Sequence, residues 1–199
     1  AISCEELIKQ GYLVPYKVFA PYRPDMKGVK VVAGDYQRKE LEYRMDKVEL
    51  VGDIVDNWLE LAQGRQTIVF ASGVAHSIHL MEAFKKAGIV AAHLDGKTPL
   101  DERDEIMRKM LSGEITVLSN VDCCTEGTDI PSVGCIVLAR PTKSIVRYKQ
   151  MVGRGMRVWD GKTDAILLDH SGCVYKHGFP DEEVPWTLDG KEKIDPAYQ

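Results

Sequence analysis

Residues 67–94, TIVFASGVAHSIHLMEAFKKAGIVAAHL, contain the pattern that decides the fold. Thr67–Ala71 is a short, continuously apolar run of the strand type, and apolar residues then recur at helical spacing over 80–87 until Gly88 ends the helix. Residues 89–94 are again strand-like. Strands that are apolar throughout are typical of a parallel sheet covered by helices on both faces. The stretch therefore predicts one unit of a doubly wound α/β fold with a mostly parallel sheet.

The same alternation of strand and helix continues on both sides of this stretch. The remaining predicted helices cover residues 5–10, 48–62, 98–112 and 144–157. The remaining predicted strands cover residues 115–119, 134–139 and 165–169. Thr98 is predicted to be the N-cap of its helix, with Pro99 in the first turn.

The domain organisation follows from where this alternation starts and stops. We predict a lead-in segment over 1–35 that comes from a preceding lobe and an α/β domain over 36–171. An irregular, proline-punctuated tail is predicted over 172–199, with Trp186 as a candidate anchor.

Composition limits the class of protein. The chain has 199 residues, of which 44% are hydrophobic and 28% charged, as in a soluble globular domain. No run approaches the roughly 18 apolar residues that span a bilayer, and no signal peptide is recognisable, so a cytoplasmic protein without membrane contact is expected. Five cysteines without a C-x-x-C pair argue against a disulfide framework and a structural zinc site. With a net charge of −4, any nucleic-acid contact would come from a local groove.

Residues 150–157, QMVGRGMR, carry the most specific motif in the chain. The pattern Q-x-x-G-R-x-x-R spaces Arg154 and Arg157 three residues apart, which places both guanidinium groups on the same side of a predicted helical turn. Two such groups that converge on one point suit a phosphate whose charge grows during transfer. The alternative interpretation is a pair of surface arginines in weak ion pairs.

Residues 125–131, TEGTDIP, follow the strand predicted over 115–119. The Asp129 carboxylate beside a turn containing glycine could hold a ribose hydroxyl, while Thr125 and nearby backbone N–H groups could meet phosphates. The alternative is a plain turn between strand and helix, in which Thr, Gly and Asp are common.

Together and in this order, segments 125–131 and 150–157 resemble motifs V and VI of superfamily 2 helicases. The strand 68–71 resembles motif IV, and the turn 93–98 followed by Arg103 resembles the connection between motifs IV and V in the same proteins. The resemblance implies the second RecA-like lobe of such a helicase, related to P-loop NTPases but without a Walker A motif of its own.

Residues 140–144, RPTKS, also match the lead into motif VI in bacterial and phage DEAD/DEAH-type enzymes akin to the type III restriction subunit group. The resemblance covers roughly residues 50–170. It implies a motor that hydrolyses ATP and moves along a nucleic acid, for which DNA is the expected strand.

The resemblance also implies a role for each matching residue. An arginine finger, Arg157, would reach the γ-phosphate of ATP across a cleft. The residues expected at the nucleotide are Gln150, Arg154 and Arg157 as catalytic groups and Gly127, Asp129 and Gly153 as binding groups. Those expected to contact the nucleic-acid backbone are Ser72, Gly96, Lys97, Thr98 and Thr125.

A complete motor of this type also needs a phosphate-binding G-x-x-x-x-G-K-[ST] loop. Two G-K-T triplets occur, at 96–98 and 161–163, but Ala91 and Met156 stand where each would need its first glycine. We therefore expect half an ATPase site, with ATP and Mg²⁺ bound mainly by a first lobe that belongs to the same protein. His76 and His79 have the spacing of two metal ligands without an evident third, so no metal site is predicted.

Two other functions remain as alternatives. A catalytically inert helicase-like lobe could serve as a docking module for nucleic acid or protein. An unrelated dinucleotide-binding enzyme would need a G-x-G-x-x-G after its first strand, which the sequence lacks. Retention of both arginines and Asp129 favours the motor over the inert module.

Overall fold

A six-stranded, all-parallel sheet forms the centre of the molecule, as predicted. The computed structural model describes residues 3–124 and 129–182. Its strands are β1 (Tyr16–Phe19), β2 (Val31–Val32), β3 (Asp35–Tyr36), β4 (Thr67–Ala71), β5 (Ala91–Leu94), β6 (Val117–Asn120), β7 (Cys135–Ala139) and β8 (Ala165–Asp169). The central sheet has the order β1-β8-β7-β4-β6-β5, while β2 and β3 form a separate antiparallel hairpin.

Helices cover both faces of this sheet. They are α1 (Cys4–Lys9), α2 (Arg38–Met45), α3 (Val48–Leu61), α4 (Val74–Lys86), α5 (Leu100–Ser112), α6 (Ile145–Gly153) and α7 (Cys173–His177). Ile68 and Phe70 of β4 join a core cluster with α5, α6 and α7, whereas Val69 joins a second cluster with α3 and α4. Successive residues of a strand point to opposite faces, so a strand buried on both faces is apolar throughout.

The core under α3 and α4 is centred on Trp58. Its indole is completely buried and donates a hydrogen bond from Nε1 to Thr67 Oγ1 at 2.7 Å. The ring also meets Phe84 edge to face, with 5.4 Å between the centroids. A buried tryptophan with its N–H satisfied fixes α3 against the start of β4.

The segment over 1–35 contributes to the same sheet, because β1 pairs in parallel with β8 from Tyr16 to Phe19. The hairpin β2–β3 and helix α2 follow β1 in the chain. They lie at the end of the sheet that holds the C-terminal ends of the parallel strands. Asp35 of this hairpin accepts hydrogen bonds from the Lys143 N–H and from Thr142 Oγ1, both at 2.8 Å and both just after β7. This end is called the carboxyl edge below, and the opposite end the amino edge.

Two of the predicted element ends that are wrong bear on the candidate site. The helix predicted over 144–157 begins after its N-cap Ser144 but ends at Gly153, so Arg154 and Arg157 do not share a helical turn. The N-cap of α5 is Pro99 rather than Thr98. Thr98 instead uses its hydroxyl within the preceding turn, where it accepts a hydrogen bond from the Asp95 N–H at 3.0 Å.

The tail predicted as irregular begins with the short helix α7, whose Cys173 and Val174 are buried against the sheet. Trp186 lies outside the described residues. No helix in ranges 3–124 and 129–182 is long and apolar enough to cross a bilayer.

Candidate functional site

The predicted functional residues divide between the two edges of the sheet. Ser72 follows β4 and Gly96 follows β5, which places them at the carboxyl edge. Arg157 lies at the amino edge, because it forms an isolated antiparallel bridge with Leu13, just before β1. Five-residue strands rise about 3.3 Å per residue, so the two edges are about 15 Å apart. The arginine segment therefore lies at the opposite edge of the sheet from Ser72 and Gly96.

Arg157 and Asp129 meet in an ion pair at the amino edge, between Arg157 Nη1 and Asp129 Oδ1. The Arg157 side chain is 33% exposed and that of Asp129 is 79% exposed. Ion pairs with this much solvent contribute at most about 1 kcal/mol, so the guanidinium group can exchange one anionic partner for another at little cost. The structure thus brings together two of the residues predicted to face a nucleotide.

The loop that carries Arg157 packs directly on the sheet at Gly155. A Cβ atom at this position would stand 2.6 Å from Cγ1 of Ile136, a buried residue of β7, and 3.4 Å from its Cδ1. Real Cβ atoms do not approach a carbon so closely, so only glycine allows this contact. The Val14 N–H donates to the Met156 carbonyl at 2.9 Å and holds the loop from the other side. Arg157 is therefore presented from a fixed backbone.

Lys162 ties the same loop to the residues before β7. Its ammonium group donates to the Arg157 carbonyl at 2.8 Å and to the carbonyls of Pro131 and Val133. Burial, with the neighbouring Arg65 and Arg157 guanidinium groups, lowers the pKa of Lys162 from 10.5 to about 8. The sequence gives no local signal for this role, because the triplet 161–163 resembles only part of a phosphate-binding motif.

The free energy of unfolding is expected to gain a contribution from Lys162 as the pH rises from 8 to 10.5. In that window the unfolded chain still holds a proton that the folded protein has released, and stability rises with pH wherever the unfolded state binds more protons. We expect a gain of about 1 kcal/mol, reduced by the partial exposure of the side chain.

Denaturant unfolding of the protein and of Lys162→Met, at about pH 7.5 and about pH 10, measures this contribution. Comparison with the variant cancels the titration of tyrosines and cysteines. The free energy of unfolding of the unsubstituted protein, minus that of Lys162→Met, should become more positive at the higher pH. A value that stays constant or becomes more negative contradicts the prediction.

The other residues of the arginine motif continue from α6. Gln150 lies in the last turn of this helix, Gly153 is its final residue, and Arg154 is its C-cap. A Cβ at Gly153 would meet no heavy atom within 4 Å, so this glycine is not required by packing. Gly127 and Thr125, predicted at the nucleotide and at the nucleic acid, lie outside the described residues.

At the carboxyl edge, Ser72, a predicted nucleic-acid contact, does not present its hydroxyl to solvent. It is buried, and its Oγ lies 2.6 Å from Nδ1 of His76, a histidine whose pKa is lowered to about 4 by burial. Glu42 of α2 meets the first turn of α4, where it accepts a hydrogen bond from the His76 N–H at 3.3 Å. A Cβ at Gly73 would overlap the Glu42 carboxylate. A carboxylate of the chain itself therefore stands at the N-terminus of α4, in favourable orientation to the helix dipole.

Asp95 organises the turn that contains Gly96, Lys97 and Thr98. Its Oδ1 accepts hydrogen bonds from the Lys97 N–H at 2.7 Å and from the Thr98 N–H at 3.0 Å. Burial acts to raise the pKa of Asp95, but the Lys97 N–H and the His93 ring outweigh it, and the pKa is lowered. Gly96 and the Lys97 side chain remain exposed. The turn therefore offers an ammonium group to solvent, while the N–H groups of Lys97 and Thr98 are satisfied internally.

Comparisons with known proteins agree with this architecture. Residues 46–158 match the family described as "Helicase conserved C-terminal domain". The chain is 36% identical over 184 residues to a 51.5 kDa protein of Lactococcus phage (isolate 7-9), covering 92% of this chain and 40% of that protein. It is 36% identical over 152 residues to the putative ATP-dependent helicase IRC3 of Saccharomyces cerevisiae, covering 75% of this chain and 22% of the relative. The chain thus spans less than half of each of these relatives.

Solved structures share the fold. A fragment of a putative HsdR subunit of a type I restriction enzyme from Vibrio vulnificus YJ016 superposes with a TM-score of 0.70 at 23% identity, covering 90% of this chain and 36% of that one. The Type ISP restriction-modification enzyme LlaBIII bound to DNA has a TM-score of 0.59 at 21% identity, covering 83% and 12%. The C-terminal domain of the DEAD-box protein Dbp5 has a TM-score of 0.54 at 21% identity, covering 66% and 76%.

Proposed function

Because the chain belongs to the helicase conserved C-terminal domain family, we propose that it is the C-terminal motor lobe of an ATP-dependent nucleic-acid helicase or translocase. A first RecA-like lobe of the same protein binds most of the ATP and its Mg²⁺ in this proposal. The lobe described here docks onto that nucleotide with its amino edge and supplies Arg157 and Arg154. Its carboxyl edge contacts the nucleic-acid backbone.

The observation that supports the catalytic part is the meeting of Arg157 with Asp129 on an exposed surface. Asp129 has the chemistry to accept a hydrogen bond from a ribose hydroxyl, and Arg157 has the forked donor geometry for phosphate oxygens. When a nucleotide enters between the lobes, Arg157 exchanges the Asp129 carboxylate for the γ-phosphate. The backbone held by Gly155 and Lys162 limits how far the side chain must reorganise.

Catalysis by this lobe would be electrostatic. Negative charge spreads over the γ-phosphoryl oxygens during transfer, and a guanidinium group placed there stabilises the transition state more than the ground state. No proton transfer is asked of Arg157, because it acts through its positive charge and its forked N–H donors. Because Arg157 reaches the phosphate only when the lobes close, hydrolysis is coupled to their relative movement.

The nucleic-acid part of the proposal involves the turn 96–98, whose exposed Lys97 can neutralise a phosphate. Ser72 and Thr125 stay predicted contacts, with Ser72 contributing through the loop backbone because its hydroxyl is turned inward. The structural relative LlaBIII is bound to DNA, and DNA is the strand that we propose for this chain.

The experiment is an ATPase assay of the full-length protein with and without single-stranded DNA. We expect hydrolysis that the strand stimulates, because a strand held by both lobes favours their closure. A protein that binds the strand but hydrolyses no ATP would instead be the inert docking module, and the motor assignment would be wrong.

A further inference from the structure

A cluster of basic side chains from four different elements lies over the carboxyl ends of β6 and β7. We call it the basic cluster, and its members are Arg38 of α2, Arg140 and Lys143 after β7, Arg147 of α6 and Lys176 of α7. None of these residues is among those for which the resemblance to helicases implies a contact with nucleotide or strand, although Arg140 and Lys143 lie in the segment 140–144 that matches the lead into motif VI. Arg38 and Lys176 lie outside the family match at 46–158 altogether.

Two carboxylates hold the arginines of the basic cluster in place. Asp122 forms ion pairs with Arg38, Arg140 and Arg147, the last between Nη1 and Oδ1 at 2.7 Å. Oδ2 of Asp35 lies 3.8 Å from Nη2 of Arg140 and 3.7 Å from Nε of Arg147. Each guanidinium group has five N–H donors, of which these carboxylates use only part. The Arg38 and Arg147 side chains are 57% and 34% exposed, so their outer donors face solvent.

Two lysines of the basic cluster are held beside a single aromatic ring. The ammonium groups of Lys143 and Lys176 stand 5.4 Å and 5.8 Å from the ring centroid of Tyr36, the last residue of β3. Both lysines are exposed. Burial first, and then the charge of Lys143, lowers the pKa of Lys176. Cation–π contacts offset part of the repulsion, and an anion bound between the two ammonium groups would relieve the rest.

The charge of this surface is opposite to that of the whole chain. Five cationic side chains face two carboxylates, which leaves an excess of three positive charges on a chain whose net charge is −4. The basic cluster also borders the carboxyl end of β4, which lies between β6 and β7 in the sheet. A polyanion that follows the carboxyl edge past the turn 96–98 would cross β6 and β4 and reach this surface.

We propose that the basic cluster binds consecutive phosphates of a single nucleic-acid strand, with Lys143 and Lys176 as its outer contacts and the Asp122-bound arginines as its base. This inference rests on the proposed function, since it adds a binding surface to the same motor. Hairpin β2–β3 and α2 thereby become part of the strand path, because they supply Tyr36, Asp35 and Arg38. The contacts are to phosphate alone, so the surface is indifferent to base sequence.

The test uses full-length Lys143→Gln/Lys176→Gln and measures affinity for a fluorescent single-stranded oligonucleotide over a range of salt concentrations. Each phosphate contact on a single strand contributes about 0.7 to the slope of log K against log salt, so two lost contacts should reduce that slope by about 1.4. At about 0.1 M salt the affinity should fall roughly 20-fold, with the difference vanishing as the salt approaches about 1 M.

Two matched variants make the result specific. Lys85→Gln/Lys86→Gln removes the same charge from the last turn of α4, at the amino edge, and should leave the slope unchanged. Lys143→Arg/Lys176→Arg keeps the charge and should restore the affinity. Equal loss of affinity in the α4 variant, or no change of slope in the Lys143/Lys176 variant, overturns the proposal.

The outcomes also separate this inference from the proposed function. If the strand stimulates the ATPase but the affinity for the strand does not depend on Lys143 and Lys176, the motor function stands and the basic cluster is not a strand contact. A protein that neither hydrolyses ATP nor binds the strand overturns both.

Discussion

Arg157→Lys in the full-length protein is expected to lower the ATPase rate by about 10³-fold or more, the range found for loss of an arginine finger. This equals about 4 kcal/mol or more of transition-state stabilisation. A lysine keeps the positive charge but offers a single ammonium group in place of a planar fork, so it cannot contact two phosphoryl oxygens in parallel. The backbone at this position is fixed by Leu13, Gly155 and Lys162, so the substitution should leave the fold intact.

The assay measures strand-stimulated turnover under saturating ATP, together with nucleotide affinity. Nucleotide affinity should change little, because the first lobe binds most of the ATP in our proposal. Arg108→Lys is the matched control, since Arg108 is an exposed arginine of α5 that pairs with Glu105. Near-normal turnover in Arg157→Lys would show that the finger is another residue, whereas equal loss in Arg108→Lys would point to a general effect of the substitution.

Gly155→Ala is expected to destabilise the protein by about 1–3 kcal/mol, as overpacking of a close-packed interior does. The added methyl group would overlap Cγ1 of Ile136, which is buried in the central strand β7. The alternative is that the loop lifts away and takes Arg157 with it. A displacement of about 1 Å at a catalytic group can cost about 100-fold in rate, so turnover should fall as well.

Gly153→Ala is the matched stability control, two residues earlier in the same motif. Its Cβ would meet no atom within 4 Å, and alanine is the better helix former, so stability should be unchanged or raised by up to about 0.5 kcal/mol. Denaturant unfolding of both variants decides the point. If Gly155→Ala is as stable as Gly153→Ala and hydrolyses ATP as fast as the unsubstituted protein, the close contact with Ile136 does not position the loop.

The strands could be predicted well because burial on both faces leaves a clear signal in the sequence. Thr67–Ala71 matches β4 residue for residue, and 165–169 matches β8. Neighbouring strands and the helices of both layers exclude water from every side chain of these runs, so polar residues are absent at internal positions. The order of the strands and the position of β1 beside β8 depend on contacts between distant segments, and no local pattern encodes them.

The end of α6 was predicted four residues too late for a physical reason. Apolar residues continue at helical spacing through Met151 and Val152 to Met156, which favours a longer helix. The chain leaves the helix at Gly153 because Gly155 packs against Ile136 and because Met156 and Arg157 pair with residues 13 and 14. These partners lie far away in sequence, so tertiary contacts overrode the periodicity.

The sequence contains a local signal for the turn that holds Thr98, although the helical periodicity after it favours Thr98 as the N-cap of α5. Asp95 precedes Gly96, and an aspartate before a glycine often accepts hydrogen bonds from the backbone two residues on. That is what Asp95 does with the Lys97 N–H, and the Thr98 hydroxyl is drawn into the same turn. The basic cluster, by contrast, could not be predicted, because its members lie as far apart in sequence as Arg38 and Lys176.

Helix α6 connects the two edges of the sheet. Its N-cap Ser144 follows Lys143, its first turns carry Arg147, and its C-cap is Arg154, three residues before Arg157. Nine helical residues extend about 13 Å and resist compression along their axis. If the basic cluster binds the strand as we propose, a pull on Lys143 and Arg147 would reach the arginine segment as a shift of the whole helix, and mechanical load on the strand would alter the rate of hydrolysis.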